Sequence, residues 1–112
     1  MTSNYLYHLV SPARWRADAD QPYQADSLAV EGFIHCSRRA QVERIANLFY
    51  ARAPELVALV IDVNKLTSPV RDEDAGTGEL FPHVYGSINR DAVIQVVPLQ
   101  RDATGQWVLR SE

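Results

Sequence analysis

The run Leu56-Val57-Ala58-Leu59-Val60-Ile61-Asp62 decides the fold. It is apolar without alternation and has the length of a strand, which predicts a central strand buried on both faces. Pro54 separates it from the best helical segment of the chain, predicted over Arg38 to Arg52 with Ser37 as its N-cap. Val42, Ile45, Ala46 and Phe49 fall at i, i+3, i+4 and i+7 of that segment and so form one apolar stripe. Further upstream, Tyr5 to Val10 reads as a first strand. Ser11-Pro12 then opens a short helix reaching Ala19, a hydroxyl cap followed by proline at the first helical position. Asp20 to Asp26 is a polar connector, Ser27 to Glu31 a helical turn ended by Gly32, and Phe33 to Cys36 a second strand. Downstream, Asn64 to Pro69 is a turn, Val70 begins a short strand, and Asp72 to Gly78 is an acidic, glycine-bearing surface loop. Phe81 to Tyr85 is a strand that Pro82 marks as an edge or irregular one. Ala92 to Leu99 is a strong strand, joined through Asp102-Ala103-Thr104-Gly105 as a hairpin to Trp107-Val108-Leu109-Arg110. Helices come early and strands late. That order predicts an α+β fold with a split, bent, antiparallel-rich β-sheet and flanking helices.

At 112 residues the chain is expected to form a single domain over 1–112, long enough for a hydrophobic core without disulfides or a structural metal. Its 46% hydrophobic and 22% charged content is that of an ordinary soluble globular protein. A net charge of -3 gives no support for general nucleic-acid binding. The opening Met1-Thr2-Ser3-Asn4-Tyr5 carries no signal-peptide pattern, and no apolar run approaches membrane-spanning length. With one cysteine, Cys36, and no internal disulfide, a reducing cytoplasm is the simplest compartment.

The three histidines, His8, His35 and His83, each interrupt a short apolar or aromatic run. Imidazole can donate and accept at once. Taken singly, each reads as a partly buried histidine with one backbone partner. As a set they predict one shared cleft. Strand alternation puts Phe33 and His35 on one face and Ile34 and Cys36 on the other, which makes Cys36 a small buried hydrophobe rather than a nucleophile. A three-histidine zinc site is arithmetically open to His8, His35 and His83, but no pair has the close spacing of zinc motifs, and no metal is expected. Glu79, where a loop enters a strand, can overhang a cleft; its plain reading is a solvated loop carboxylate. The Arg71-Asp72-Glu73-Asp74 run reads as a solvated surface turn. Ser37, Arg38 and Arg39, after the second strand and at a helix start, form an anion-binding edge or else simply exposed helix charges.

Several strings carry a resemblance. Tyr7-His8, Ala25-Asp26-Ser27-Leu28, Glu31-Gly32-Phe33-Ile34-His35-Cys36-Ser37, Gln41, Ala46-Asn47 and Gly78-Glu79-Leu80-Phe81-Pro82-His83-Val84-Tyr85-Gly86 closely resemble a bacterial family known as domain of unknown function 952. The fold of that family is similar to the ADP-ribosyltransferase catalytic core. The resemblance implies NAD as the cofactor. His8 matches the first-strand histidine that holds a ribose hydroxyl. His35 stands where an aromatic residue, usually tyrosine, stacks on nicotinamide. Glu79 is close in sequence to the glutamate that stabilises the oxocarbenium-like transition state, but it is not in clear register, and His83 is the alternative group facing the cleft. RNA 2′-phosphotransferases, similar NAD users, lack the glutamate and rely on arginine and histidine. The implied catalytic set is His8, His35, His83 and Glu79, and the implied nucleotide-binding set is His8, Ser37, Arg38 and Tyr85. The function implied is a small enzyme, or degraded enzyme, acting on NAD or a related nucleotide by ADP-ribosyl or RNA 2′-phosphate transfer. A non-catalytic nucleotide- or metabolite-binding module is the second reading, and a metal-dependent hydrolase the last. The partner expected is a small nucleotide, with nucleic acid only as an RNA-end substrate and no membrane.

Overall fold

The computed structural model describes residues 4–74 and 76–110. In chain order the elements are β1 (Tyr5–Val10), α1 (Pro12–Arg16), α2 (Asp26–Glu31), β2 (Ile34–His35), α3 (Val42–Phe49), β3 (Val57–Asp62), β4 (Val70–Asp74), β5 (Leu80–Val84), β6 (Val93–Pro98), β7 (Gln100–Arg101) and β8 (Trp107–Val108). The class is α+β. Two three-stranded antiparallel sheets run β1-β3-β6 and β2-β5-β4, and β7 pairs with β8 in a small hairpin.

The apolar run forms β3, the middle strand of the first sheet, and it is buried on both faces. Val57, Leu59 and Ile61 meet Leu6 and Val10 of β1 and Ile34, Cys36 and Val84 of the second sheet. Ala58 and Val60 face the other way, toward Val42 and Ala46 of α3 and toward Trp107 and Leu109. The first sheet is therefore sandwiched, with the second sheet against one face and α3 with the β7–β8 hairpin against the other.

Among the described residues one backbone bridge links the two sheets. Tyr7 N–H donates to the Ser37 carbonyl at 2.9 Å and Ser37 N–H to the Tyr7 carbonyl at 2.7 Å. Beyond that bridge β1 and β2 diverge, and this is the split.

Five expectations are corrected. Ser37 does not cap the long helix; its backbone belongs to the bridge, and Gln41 caps instead, its Oε1 accepting from Arg38 N–H at 2.8 Å. The helix itself is α3, Val42–Phe49, preceded by one 3₁₀ turn over Arg39–Gln41. Phe49 leaves the stripe: it is the last residue of α3 and is 69% exposed, and the next carbonyl, of Tyr50, accepts the Trp107 indole N–H. Arg71 to Asp74 is no turn but most of β4. Finally, Pro82 lies in β5, the central strand of its sheet, not an edge. The ladder tolerates it because its carbonyl accepts Cys36 N–H at 3.0 Å, while its missing donor faces the point where the two-residue β2 ends.

Candidate functional site

The second sheet turns one face to the core and one outward. Inward go Ile34, Val84 and Pro82, as alternation requires. Outward go Phe33 and His35 beside β5, His83 and Phe81 on β5, Arg71 and Glu73 on β4, and Tyr85 just past β5. His35 is exposed there, whereas His83 is only 5% exposed, covered by its neighbours on that face.

Register brings the two outward histidines together. Cys36 N–H bonds Pro82, so the 36/82 and 34/84 pairs are the hydrogen-bonded ones and His35/His83 between them is a non-hydrogen-bonded pair. Side chains approach most closely at such pairs. The two imidazoles stand 5.3 Å apart, centroid to centroid, edge to face. Phe33 stacks flat on His83 at 4.0 Å and meets His35 edge-on at 4.9 Å. Tyr85 lies 5.4 Å from Phe33, and the Arg71 guanidinium lies 4.8 Å over the Tyr85 ring.

Each of these imidazoles has a carboxylate on one nitrogen. His83 Nδ1 lies 2.9 Å from Glu73 Oε1, and His35 Nε2 lies 3.0 Å from Glu31 Oε2. Glu73 also accepts the Tyr85 hydroxyl at 2.5 Å. Those bonds, Tyr85 first and His83 second, hold the Glu73 carboxyl below the ordinary glutamate range, and the same bond raises the Tyr85 phenol. Glu73 is thus a fixed anion. An ionised carboxylate can only accept, so His83 donates from Nδ1, and a neutral ring then carries its lone pair on Nε2. No hydrogen-bond partner for that Nε2 is found among the described residues, and it is not a buried orphan. It is the free end of a carboxylate–imidazole pair.

His8 is placed differently. It lies on the inward side of β1 with Leu6 and Val10 and is 6% exposed. Nδ1 lies 2.7 Å from the His35 carbonyl and Nε2 lies 2.8 Å from the Tyr23 hydroxyl. A carbonyl only accepts, so Nδ1 carries the proton and Nε2 accepts from Tyr23. Burial, the largest cause, lowers its pKa to about 4. Both nitrogens that would face a ribose or a metal are engaged by protein. The predicted three-imidazole cleft is therefore two imidazoles on the outward face and a third that touches only the backbone of one of them.

The other expected groups also have protein partners. Glu79 Oε2 pairs with the Arg44 guanidinium and accepts from Gln41 Nε2 at 2.9 Å, which ties the start of β5 to α3. Along β5 it lies four residues, about 13 Å, from His83. Arg38 bonds Asn4 at 2.8 Å and Asp72 at 3.0 Å, and Arg39 bonds the Leu109 carbonyl at 2.9 Å, so the expected anion edge is occupied by protein. Arg71 makes no ion pair among the described residues and is the cation next to the aromatic face. In this structure the arrangement implied for NAD, with His8 on the ribose and Glu79 at the reacting carbon, does not assemble. Among the described residues no three histidine, cysteine or acidic side chains converge as metal ligands.

A family described as "protein of unknown function (DUF952)" matches residues 9–96. The chain belongs to this family. Its fold is similar to that of protein CC0527 from Caulobacter crescentus. The crystal structure of CC0527 is 26% identical, covers 94% of each chain and has a TM-score of 0.82. The solution NMR structure is 28% identical, covers 91% of this chain and 90% of that one, and has a TM-score of 0.76. No curated protein matches the chain. No helix among the described residues is long and apolar enough to cross a membrane.

Glu31, Phe33, Arg71 and Glu73 of the candidate site were not among the site residues read from the sequence, and Glu73 shows why. Glu73 sits in a charge run whose apolar alternation is absent, so nothing local marks it as a strand residue. Its only available signal is parity with Arg71, opposite Phe81 and His83. Cys36 behaves as the alternation requires: it is buried in the core and burial pushes its thiol up to about 12. We expect native protein at neutral pH to resist a thiol reagent, with modification appearing only as denaturant unfolds the chain. Rapid labelling of the folded protein would show that Cys36 is reachable.

Proposed function

We propose that this DUF952 chain binds a nucleotide-class ligand on the outward face of its β2-β5-β4 sheet and acts on it with His35 and His83 as an acid–base pair. One observation carries the reading: two imidazoles 5.3 Å apart, each with a carboxylate on one nitrogen. A carboxylate behind an imidazole fixes its tautomer and orientation and makes the far nitrogen a better base. His83 Nε2 then takes a proton, and His35, steadied by Glu31, supplies one. Phe33 and Tyr85 offer ring faces on which a planar base stacks, and Arg71 offers a cation for a phosphate. NAD, ADP-ribose and 2′-phosphorylated RNA ends are the ligands to try first, following the resemblance to the ADP-ribosyltransferase core. The non-catalytic module uses the same face without turnover.

The test is calorimetric titration of NAD, ADP-ribose, nicotinamide and 2′-phosphorylated RNA, followed by a turnover assay on whatever binds. His83→Gln is expected to weaken binding about tenfold, the loss of one buried hydrogen-bonding group. His35→Gln is expected to abolish turnover while retaining most of the affinity. Binding with no turnover in the unmodified protein would leave the module reading. Binding that both variants retain in full would remove the site from this face.

A further inference from the structure

His35 sits at the split, and its backbone there has an unusual partner. Tyr7 and Ser37 exchange both bonds, so in an unbroken antiparallel ladder the next hydrogen-bonded pair is Leu9 with His35, and the His35 carbonyl would accept Leu9 N–H. The sheets have already parted, and no such bridge forms. On its other side His35 is in a non-hydrogen-bonded pair with His83, so its carbonyl points away from β5 and into the gap. There it meets an imidazole, His8 Nδ1 at 2.7 Å.

We infer that His8 is the positioning residue of this site: its Nδ1–H, on a ring whose far nitrogen is held by the Tyr23 hydroxyl, stands in for the missing ladder bond on the His35 carbonyl and so fixes the His35 imidazole against His83. The inference rests on the reading of the outward face as the site. β2 is only two residues long and edges its sheet, so beyond β5 the chain at His35 is restrained by the bridge at Ser37 and by this bond. A carbonyl anchored in a gap sets the φ and ψ of its own residue, and these aim the side chain on the opposite face. Tyr23 completes the restraint. The His35 carbonyl can only accept, so the ring proton is on Nδ1, and the Tyr23 hydroxyl donates to the free Nε2 at 2.8 Å and holds the far side of the ring. Tyr23 is in turn held by paired backbone bonds with Ile88, at 2.8 and 2.9 Å. The polar connector before α2 thereby reaches the outward face through Tyr23, His8 and the His35 backbone, and His8 contributes without touching the ligand.

The experiment uses the full chain in three variants. At position 8 asparagine places an amide N–H close to where Nδ1–H stood, whereas leucine and the smaller valine place none. The readouts are ring-to-ring nuclear Overhauser effects between His35 and His83, the imidazole 15N shifts of His8, and the affinity for ADP-ribose. His8→Asn is expected to keep the His35–His83 cross-peaks and to bind within about threefold of the unmodified protein. His8→Leu, checked as folded by its β-sheet cross-peaks, is expected to lose the ring contact and to bind about tenfold more weakly. A folded His8→Leu variant with the His35–His83 contact intact overturns the inference. Should His8→Leu not fold, His8→Val decides. Expected there is the same displaced His35 ring, whereas a folded His8→Val variant with the His35–His83 contact intact overturns the inference. The ring contacts are read without ligand, so failure of ADP-ribose to bind the unmodified protein would count against the ligand reading while leaving the positioning decided.

Discussion

Lowering the pH from 6.5 to 5 is expected to remove about 2 kcal/mol of folding stability, and about 3 kcal/mol by pH 4, with most of that loss absent from His8→Asn. His8 is buried and neutral, with a folded pKa of about 4 against 6.5 unfolded. Between those values the unfolded chain binds the proton more readily than the folded one. The contribution is therefore complete above pH 6.5 and falls as the pH drops toward 4. The carboxylates held low in the fold, Glu73, Asp74 and Asp102, also lose stability on acidification, but they start from unfolded values of 4.5, 3.8 and 3.8. The window from 6.5 to 5 therefore precedes the carboxylates' loss, and the difference between the parent and His8→Asn isolates the His8 share. Urea titrations at half-unit steps measure it. The asparagine variant is less stable at neutral pH, and its curve slopes less across that window than the parent's. A His8→Asn variant that loses as much stability as the parent across that window would mean that His8 is not buried as a neutral ring.

Leu59→Ala is expected to cost 2–5 kcal/mol, the range for emptying a fully buried leucine site. Leu59 is 0% exposed in the middle strand of the first sheet. It lies opposite His8 on one side and Val96 on the other. Both sheets close over that position, so the hole cannot collapse easily. Phe49→Ala removes a larger side chain and is expected to change stability by less than about 0.5 kcal/mol, because Phe49 is 69% exposed at the end of α3. The midpoint of equilibrium denaturation orders the two. Equal losses would mean that the end of α3 packs against the domain.

That contrast marks where local pattern ends. The apolar run at β3, the α3 stripe as far as Ala46, the cap at Ser11, the glycine stop at Gly32 and the opposite facing of His35 and Cys36 are all set within a few residues, and all were legible. Gly32 adopts φ +88, a left-handed conformation glycine reaches without steric cost. What sequence could not give was set by partners far along the chain. Tyr23, in a connector read as polar, is 3% exposed because it bonds His8 and pairs with Ile88. Glu73 became a site residue only when β4 paired with β5. Glu79, the carboxylate the sequence singled out, is tied to Arg44 and Gln41 by the docking of α3. The family match leaves chemistry open, so the site rests on geometry alone.

The most direct measurement is a long-range 1H–15N spectrum of the three imidazoles, recorded as ADP-ribose is added. The His35 and His83 nitrogens are expected to shift together and saturate at one ligand concentration, while His8 keeps its Nδ1–H tautomer throughout. Saturable binding that leaves His35 and His83 unmoved, or that shifts His8 alone, would contradict that expectation.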